Sequence, residues 1–249
     1  MAEWNDLDRE LDAWRTEGRD ATLWWRDDDA RQITPALERL LGLSEEAGVP
    51  IAIAVVPLGA EPGLGECLSR RPLAAVLQHG YAHVNHAPAG SRKAELGPGL
   101  DAETVLAELA EGRRLLAPFD GTLPVLVPPW NRMDPSLLAR LPAIGLEAVS
   151  AYKPRPAPEP APGVRCANVH ADLFHMKGRF IGERAVLELI VDHLAARRKG
   201  MVDRCEATGL LTHHLDLDDA CWAFVRKFLR RTRDHAAVRW IGGREVFWP

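Results

Sequence analysis

Apolar residues follow two periods along this chain, and the two alternate. Short runs that are apolar at almost every position, as in strands covered on both faces, occupy residues 22–25, 51–56, 74–78, 123–127 and 209–212, with shorter or more mixed runs at 147–150, 167–174 and 238–241. Segments with apolar residues three and four apart fall around them: residues 3–17, carrying Trp4, Leu7, Leu11 and Trp14, then 34–48, 101–116, 135–141, 184–199 and 218–232. Thr34 and Pro35 open the second of these as N-cap and first-turn residue, and Asp101 is placed to cap the third. Alternation of this kind predicts an α/β fold of parallel strands with helices outside, in one domain spanning residues 1–249. Residues 1–20 read as an N-terminal helical segment. The Pro- and Ala-rich stretch within residues 153–164 is expected to be a surface loop rather than a linker, because the remainder has too few strands for a sheet of its own.

The polar exceptions to this pattern gather at strand ends. Trp25-Arg26-Asp27-Asp28-Asp29-Ala30 puts three carboxylates after a buried run, where they repel one another and lose hydration. A cation is the usual remedy. His79-Gly80-Tyr81-Ala82-His83 follows the third strand, and one Asp with two His is the three-ligand set of a catalytic zinc site, leaving a position for water. Taken singly, an acidic run is as readily a helix cap or solvated turn, and two His four apart occur by chance. Common placement argues for a site: Trp130-Asn131, Asp172 and His213 also lie at or near carboxyl ends of strands, where parallel α/β folds carry function.

If the first strand continues through the acidic run, Asp27 and Asp28 point to opposite faces. One could then face a metal and the other the water beside it; a turn leaves their roles open. Imidazoles ordinarily titrate near neutral pH, so a His at position 213 suits a general acid, with Asp172 to orient and charge it. Pro128-Pro129-Trp130-Asn131 reads as a rigid pocket wall whose backbone N–H faces developing oxyanion charge. Trp24, Trp25, Trp222, Trp240 and Trp248 are expected to pack in the core rather than stack on sugars.

Composition narrows the function classes. The 249 residues suffice for a substantial core, and the net charge of −4, with no basic stripe, argues against nucleic acid as a partner. No apolar run is long enough to span a membrane, and the opening residues lack the features of a signal peptide, so a cytoplasmic protein is expected. Cys67, Cys166, Cys205 and Cys221 are scattered with no CxxC pair and are expected to be reduced thiols.

In order and spacing these segments resemble the motifs of the polysaccharide deacetylases, over roughly residues 20–245. A first motif of the type T-F-D-D-G-P, followed by T-P at a helix start, resembles Trp25 to Ala30 with Thr34-Pro35, Asp29 standing where the motif has Gly. The second, H-[ST]-x-x-H, resembles His79 to His83 with Gly80 in place of the hydroxyl residue. The third, R-x-P-[YW]-[GN], resembles Val127 to Asn131, the fifth, L-x-H, Leu211-Thr212-His213, and the fourth, loosely, Asp172. The resemblance implies a distorted parallel (β/α) barrel of about seven strands. It implies one divalent metal ion, foremost zinc, held by Asp28, His79 and His83, with Asp27 as catalytic base. His213, backed by Asp172, then protonates the leaving amine and the Trp130 N–H meets the oxyanion. The expected reaction is hydrolysis of a C–N amide bond, N-deacetylation of a small or saccharide substrate. The alternatives are hydrolysis of small cyclic amides or ureides on the same fold, or a catalytically silent carbohydrate-binding homologue. One departure stands out. The motif's Arg, which pairs with the catalytic carboxylate, is Val127 here. Arg26 or Arg132 is expected to replace it at Asp27; Arg132 is preferred, because it sits on the loop bordering the site while alternation turns Arg26 away.

Overall fold

The computed structural model describes residues 2–175 and 179–249. In chain order its elements are α1 (Trp4–Thr16), β1 (Ala21–Ala30), α2 (Pro35–Ala47), β2 (Ile51–Val55), α3 (Pro62–Ser69), β3 (Ala74–His79), α4 (Ala102–Leu116), β4 (Thr122–Val127), β5 (Ala148–Val149), β6 (Arg165–Cys166), β7 (Ala171–Asp172), β8 (Phe174–His175), β9 (Arg179–Phe180), α5 (Glu183–Lys199), β10 (Thr208–Thr212), α6 (Asp219–Arg233), β11 (Val238–Trp240) and α7 (Gly243–Phe247). The main sheet runs β6-β5-β4-β3-β2-β1-β10-β7, every neighbouring pair parallel, and β11 also pairs with β1. This is a curled half-barrel of parallel strands wrapped by helices. The Pro-rich loop connects β5 and β6, which are neighbours in that sheet.

Strand alternation divides the apolar residues into two layers. Leu23, Trp25, Ile51, Ile53, Val55, Val76 and Leu210 pack outward with α1, α2, α5 and α6. Trp24, Ala52, Ala54, Leu77, Val125, Val127 and Leu211 point into the barrel, joined by Val246 and Phe247 of α7. A third cluster lies between α4 and the segment 135–144. The helices are capped where the sequence predicts. Thr34 accepts from the Leu37 N–H and Asp101 from the Thr104 N–H, and Gly48 closes α2 in a left-handed conformation with φ 64°.

The structure departs from the predicted elements in several places, four of which have a plain physical reason. β1 does not stop at Trp25: it runs on through the acidic residues to Ala30, with Arg26 and Asp27 paired to both β2 and β10. The helix expected at 135–141 is a 3-10 helix, Pro135–Ile144, holding Pro142, which has no N–H to give an α-helical bond. α3 went unpredicted because its eight residues include Gly63 and Gly65; Gly65 is needed, as a side chain there would strike the Phe119 ring. The run 167–174 is broken, because Asn168 diverts the backbone: its amide side chain binds Ala151 N–H and the Lys153 carbonyl, while its own N–H goes to Glu206. All four cysteines are free thiols.

His193 of α5 faces the sheet, where its Nδ1 meets Thr208 Oγ1 at 2.9 Å and its ring stacks on His170 with centroids 3.4 Å apart. Burial, and then the His170 beside it, push the His193 pKa from an ordinary 6.5 to about 2. Below the ordinary value the unfolded chain takes up a proton that the folded chain refuses, so stability falls as pH falls. Urea denaturation at pH 7 and pH 5 should show a loss that includes about 2 kcal/mol from this one group. That share should vanish in His193→Gln; an unchanged difference between the two pH values would contradict the assignment.

Candidate functional site

The end of β1 sets the site, because four of its last five residues are charged. Trp24 points into the barrel and Trp25 out of it, so Arg26 and Asp28 follow Trp24 inward and Asp27 follows Trp25 outward. Asp27 is fully buried under the helices. Thr212 Oγ1 donates to its Oδ2 at 2.6 Å, and His214 Nδ1 lies 2.5 Å from its Oδ1. Trp25 Nε1 donates in turn to Thr212 Oγ1 at 2.9 Å. Burial alone would lower the His214 pKa; the Asp27 carboxylate outweighs it and holds the imidazole protonated to higher pH. Asp27 therefore faces away from the barrel, and the expectation that it acts on a water there is corrected by the strand's own alternation.

Asp28 occupies the inward position. Arg26 grips it with two parallel bonds, Nε to Oδ1 at 2.8 Å and Nη2 to Oδ2 at 3.0 Å. The same guanidinium donates to Ser150 Oγ at 2.7 Å, to the Ser150 carbonyl at 3.1 Å and to Asn131 Oδ1 at 2.6 Å. Of the two guanidiniums expected beside the acidic run, Arg26 is the one bonded there, and its partner is Asp28 rather than Asp27. Arg132 takes no part; it donates to the Lys93 carbonyl.

Asp29 would point outward in a regular strand. It does not, because the pairing of β1 with β2 shifts register between Asp27 and Ala30, and Asp29 sits at φ 75°. This bulge swings its carboxylate to the barrel mouth. There Oδ1 lies 3.0 Å from His79 Nε2 and 3.1 Å from His83 Nε2. The donor atoms of Asp29, His79 and His83 all fall within 4.8 Å of one another. The structure thus brings His79 and His83 together with Asp29, not with the Asp28 expected.

The chemistry of this donor set fits a divalent cation. His79 Nδ1 donates to the Val127 carbonyl at 3.0 Å, which leaves Nε2 as the free lone pair of a neutral ring. A lone pair and a carboxylate oxygen repel at 3.0 Å unless a proton or a cation lies between them. Protons alone would require His79 to be charged and His83 to carry its proton on Nε2. Burial opposes charging His79, though the Asp28 and Asp29 charges outweigh it; for His83, burial and then the adjacent His79 push the pKa down. Burial works against ionising Asp29 as well, yet the hydrogen bond and charge of His79, with His213 and His83 behind it, hold its carboxyl far below the ordinary range. One divalent ion satisfies all three donors at once.

A second group of donors, His170, His193 and Glu206, is buried throughout, unlike the first. It does not fit an ion. The Gly209 N–H donates to His170 Nδ1 at 2.9 Å, so the ring proton of neutral His170 must sit on Nε2, the atom that faces Glu206 at 3.4 Å. The parallel His170 and His193 rings also cannot both aim a lone pair at one point.

The remaining predicted residues line the mouth. His213 follows β10 on the inward side; its Nδ1 is buried with no hydrogen-bond partner among the described residues, and Phe174 stands edge-on to its ring at 6.0 Å. Asp172 accepts from the Phe174 N–H rather than from His213. Burial raises the Asp172 pKa, and the nearby His213 offsets this only in part. Trp130 lies against the His83 ring at 4.3 Å. Trp130 and Asn131 both adopt left-handed backbone, φ 54° and 56°, a conformation that costs roughly 1–2 kcal/mol per residue. The Arg26 bond to Asn131 helps hold it.

No family model matches the chain, and no curated protein matches it in sequence. Solved structures do match in fold. A protein of Mycobacterium smegmatis assigned as a polysaccharide deacetylase superposes with a TM-score of 0.68 at 18% identity, over 93% of this chain and 90% of that one. One of Pseudomonas aeruginosa with the same assignment gives 0.65 at 13%, over 93% and 91%. A family 4 acetyl xylan esterase of Clostridium thermocellum, solved with a cobalt ion, gives 0.56 at 12%, over 91% and 90%. The half-barrel is therefore the fold of these proteins.

Two outcomes test the geometry. Asp29→Asn should lose divalent metal in equilibrium dialysis, while Asp27→Asn, on the far side of the sheet, should retain it; the reverse result would overturn the placement of Asp29 at the ion. Arg26→Met should destabilise the fold by about 3–5 kcal/mol in urea, because Asp28 is left buried and unpaired. Arg26→Met/Asp28→Leu should recover part of that loss.

Proposed function

We propose that this chain is a metal-dependent amide hydrolase that removes an N-acetyl group from a sugar-like substrate, with zinc as its metal. The observation that carries the reading is a division of labour between adjacent carboxylates: Asp29 joins two imidazoles, while Asp28, bound to Arg26, stands apart inside the same barrel. The shared fold with polysaccharide deacetylases and with a cobalt-bound acetyl xylan esterase supports an acyl-transfer reaction on a saccharide.

Asp29, His79 and His83 would hold the ion, which supplies a Lewis acid for the acyl oxygen and lowers the pKa of water. Asp28 accepts the proton of the attacking water at its carboxylate, oriented by the Arg26 fork. A new C–O bond forms as the C–N bond breaks. His213 donates a proton to the departing nitrogen, since an amine leaves poorly as its anion, and acetate and free amine are the products. Asp172 places negative charge near the imidazolium before it gives up that proton. The Trp130 N–H, held by the left-handed turn, faces the acyl oxygen as its charge grows. Arg26 also weakens the case for a silent binder, because the guanidinium absent at Val127 is supplied from β1.

Acetate release from N-acetylated mono- and oligosaccharides by the zinc-loaded protein tests this. Asp28→Asn and His213→Ala should each lower kcat by ~10²–10⁴-fold with metal content retained. Zinc-loaded protein that frees no acetate, or that instead opens a cyclic imide or ureide to its acid, would refute the deacetylase reading.

A further inference from the structure

Glu95 has no place in the chemistry above, yet it is only 1% exposed. A carboxylate that deep must be compensated, and no cationic side chain is bonded to it among the described residues. Its partners are backbone. Oε1 accepts from the Ala82 N–H at 2.7 Å and from the Val84 N–H at 3.3 Å, and Oε2 accepts from the Tyr81 N–H at 3.1 Å. These amides flank His83. The turn that presents them is left-handed at both Gly80 and His83, φ 56° in each case. Successive N–H groups in such a turn converge into a concave anion site, and the anion here is the chain's own side chain.

The fit is close. A Cβ on residue 80 would run into Glu95 Oε2 and the Pro129 ring, so the Gly at this motif position leaves room for the carboxylate. Glu95 is itself anchored on both sides. Ala94 N–H donates to Asn85 Oδ1 at 3.0 Å, and the Leu96 carbonyl accepts from the Asp134 N–H at 2.7 Å, next to the loop that carries Trp130.

We infer that Glu95 is the positioning residue of the metal centre: it fixes the turn after β3 so that His83 Nε2 meets Asp29 and His79 before any ion arrives. The inference rests on the metal reading above. Without Glu95 the amides of Tyr81, Ala82 and Val84 lose their acceptor, and a non-Gly residue at φ 56° has little else to hold it there. In Glu95→Gln the side-chain NH₂ would confront N–H donors, so the turn must open.

Cobalt(II) serves as the probe, with affinity and visible absorption both read. Glu95→Gln should weaken cobalt binding by ~10–100-fold, the range for residues that orient a ligand, and alter the ligand-field bands. Glu95→Asp, which keeps the charge but shortens the reach, should fall between. A purely structural role would lower the Tm of metal-free protein yet leave cobalt Kd and spectrum at wild-type values, and that result overturns the inference. Hydrogen exchange on metal-free wild type needs no variant. The Tyr81, Ala82 and Val84 amides should be protected; exchange at the rate of an open loop also overturns it. Wild type that takes up no cobalt at all overturns the metal reading instead, and the exchange data still decide whether Glu95 organises the turn.

Discussion

Three adjacent carboxylates end a strand that is buried on both faces, and no single counter-charge can serve all of them. Each is sent in a different direction and compensated there. Asp27 goes outward to Thr212 and His214, Asp28 inward to Arg26, and Asp29, swung round by a bulge, to the two imidazoles at the mouth. Much of the architecture follows from these three demands. β10 must lie beside β1 to deliver Thr212. The ends of β4 and β5 must approach across the barrel so that Asn131 and Ser150 can complete the Arg26 donor set. β3 must end level with the bulge. A desolvated carboxylate left alone costs several kcal/mol, so an arrangement that strands any one of them is strongly disfavoured against this one.

The strands were the most legible feature, because apolar runs covered on both faces leave little room for another reading. The faces of the acidic run were legible as well: alternation separates Asp27 from Asp28. Which face is the inside was not, since that depends on how distant parts of the chain, Leu211 and Phe247 among them, pack around Trp24. The same gap misdirected the choice between Arg26 and Arg132. The bulge was hidden because pairing register is a property of two strands. One signal did exist: Asp29 occupies a motif position that otherwise holds Gly, and Asp is among the few residues that tolerate positive φ there. Glu95 lies in a polar stretch of no period, where spacing carries no information about which backbone amides a side chain will meet.

The carboxylate proposed for the metal, Asp29, and the proposed base, Asp28, come from one short segment. Shifting the β1 pairing by a single residue would exchange the faces of Arg26, Asp27 and Asp28 together. The Trp25–Thr212–Asp27–His214 network therefore does more than satisfy Asp27. It locks the register on the outer face, and so decides which carboxylate is presented on the inner one.

The position of β1 in the chain has a consequence for biosynthesis. β1 is made before the other strands of this sheet, but β10, its partner along one edge, and β11, which pairs with Ala21–Leu23 along the other, are among the last. Until they emerge, its ten residues form a bare edge carrying Leu23, Trp24 and Trp25, the kind of strand that recruits copies of itself. The acidic triplet at its end, with no His214 yet to neutralise it, then acts as a gatekeeper: like charges in register repel a second copy of the strand. The residues that equip the finished barrel for chemistry also guard the unfinished chain against aggregation.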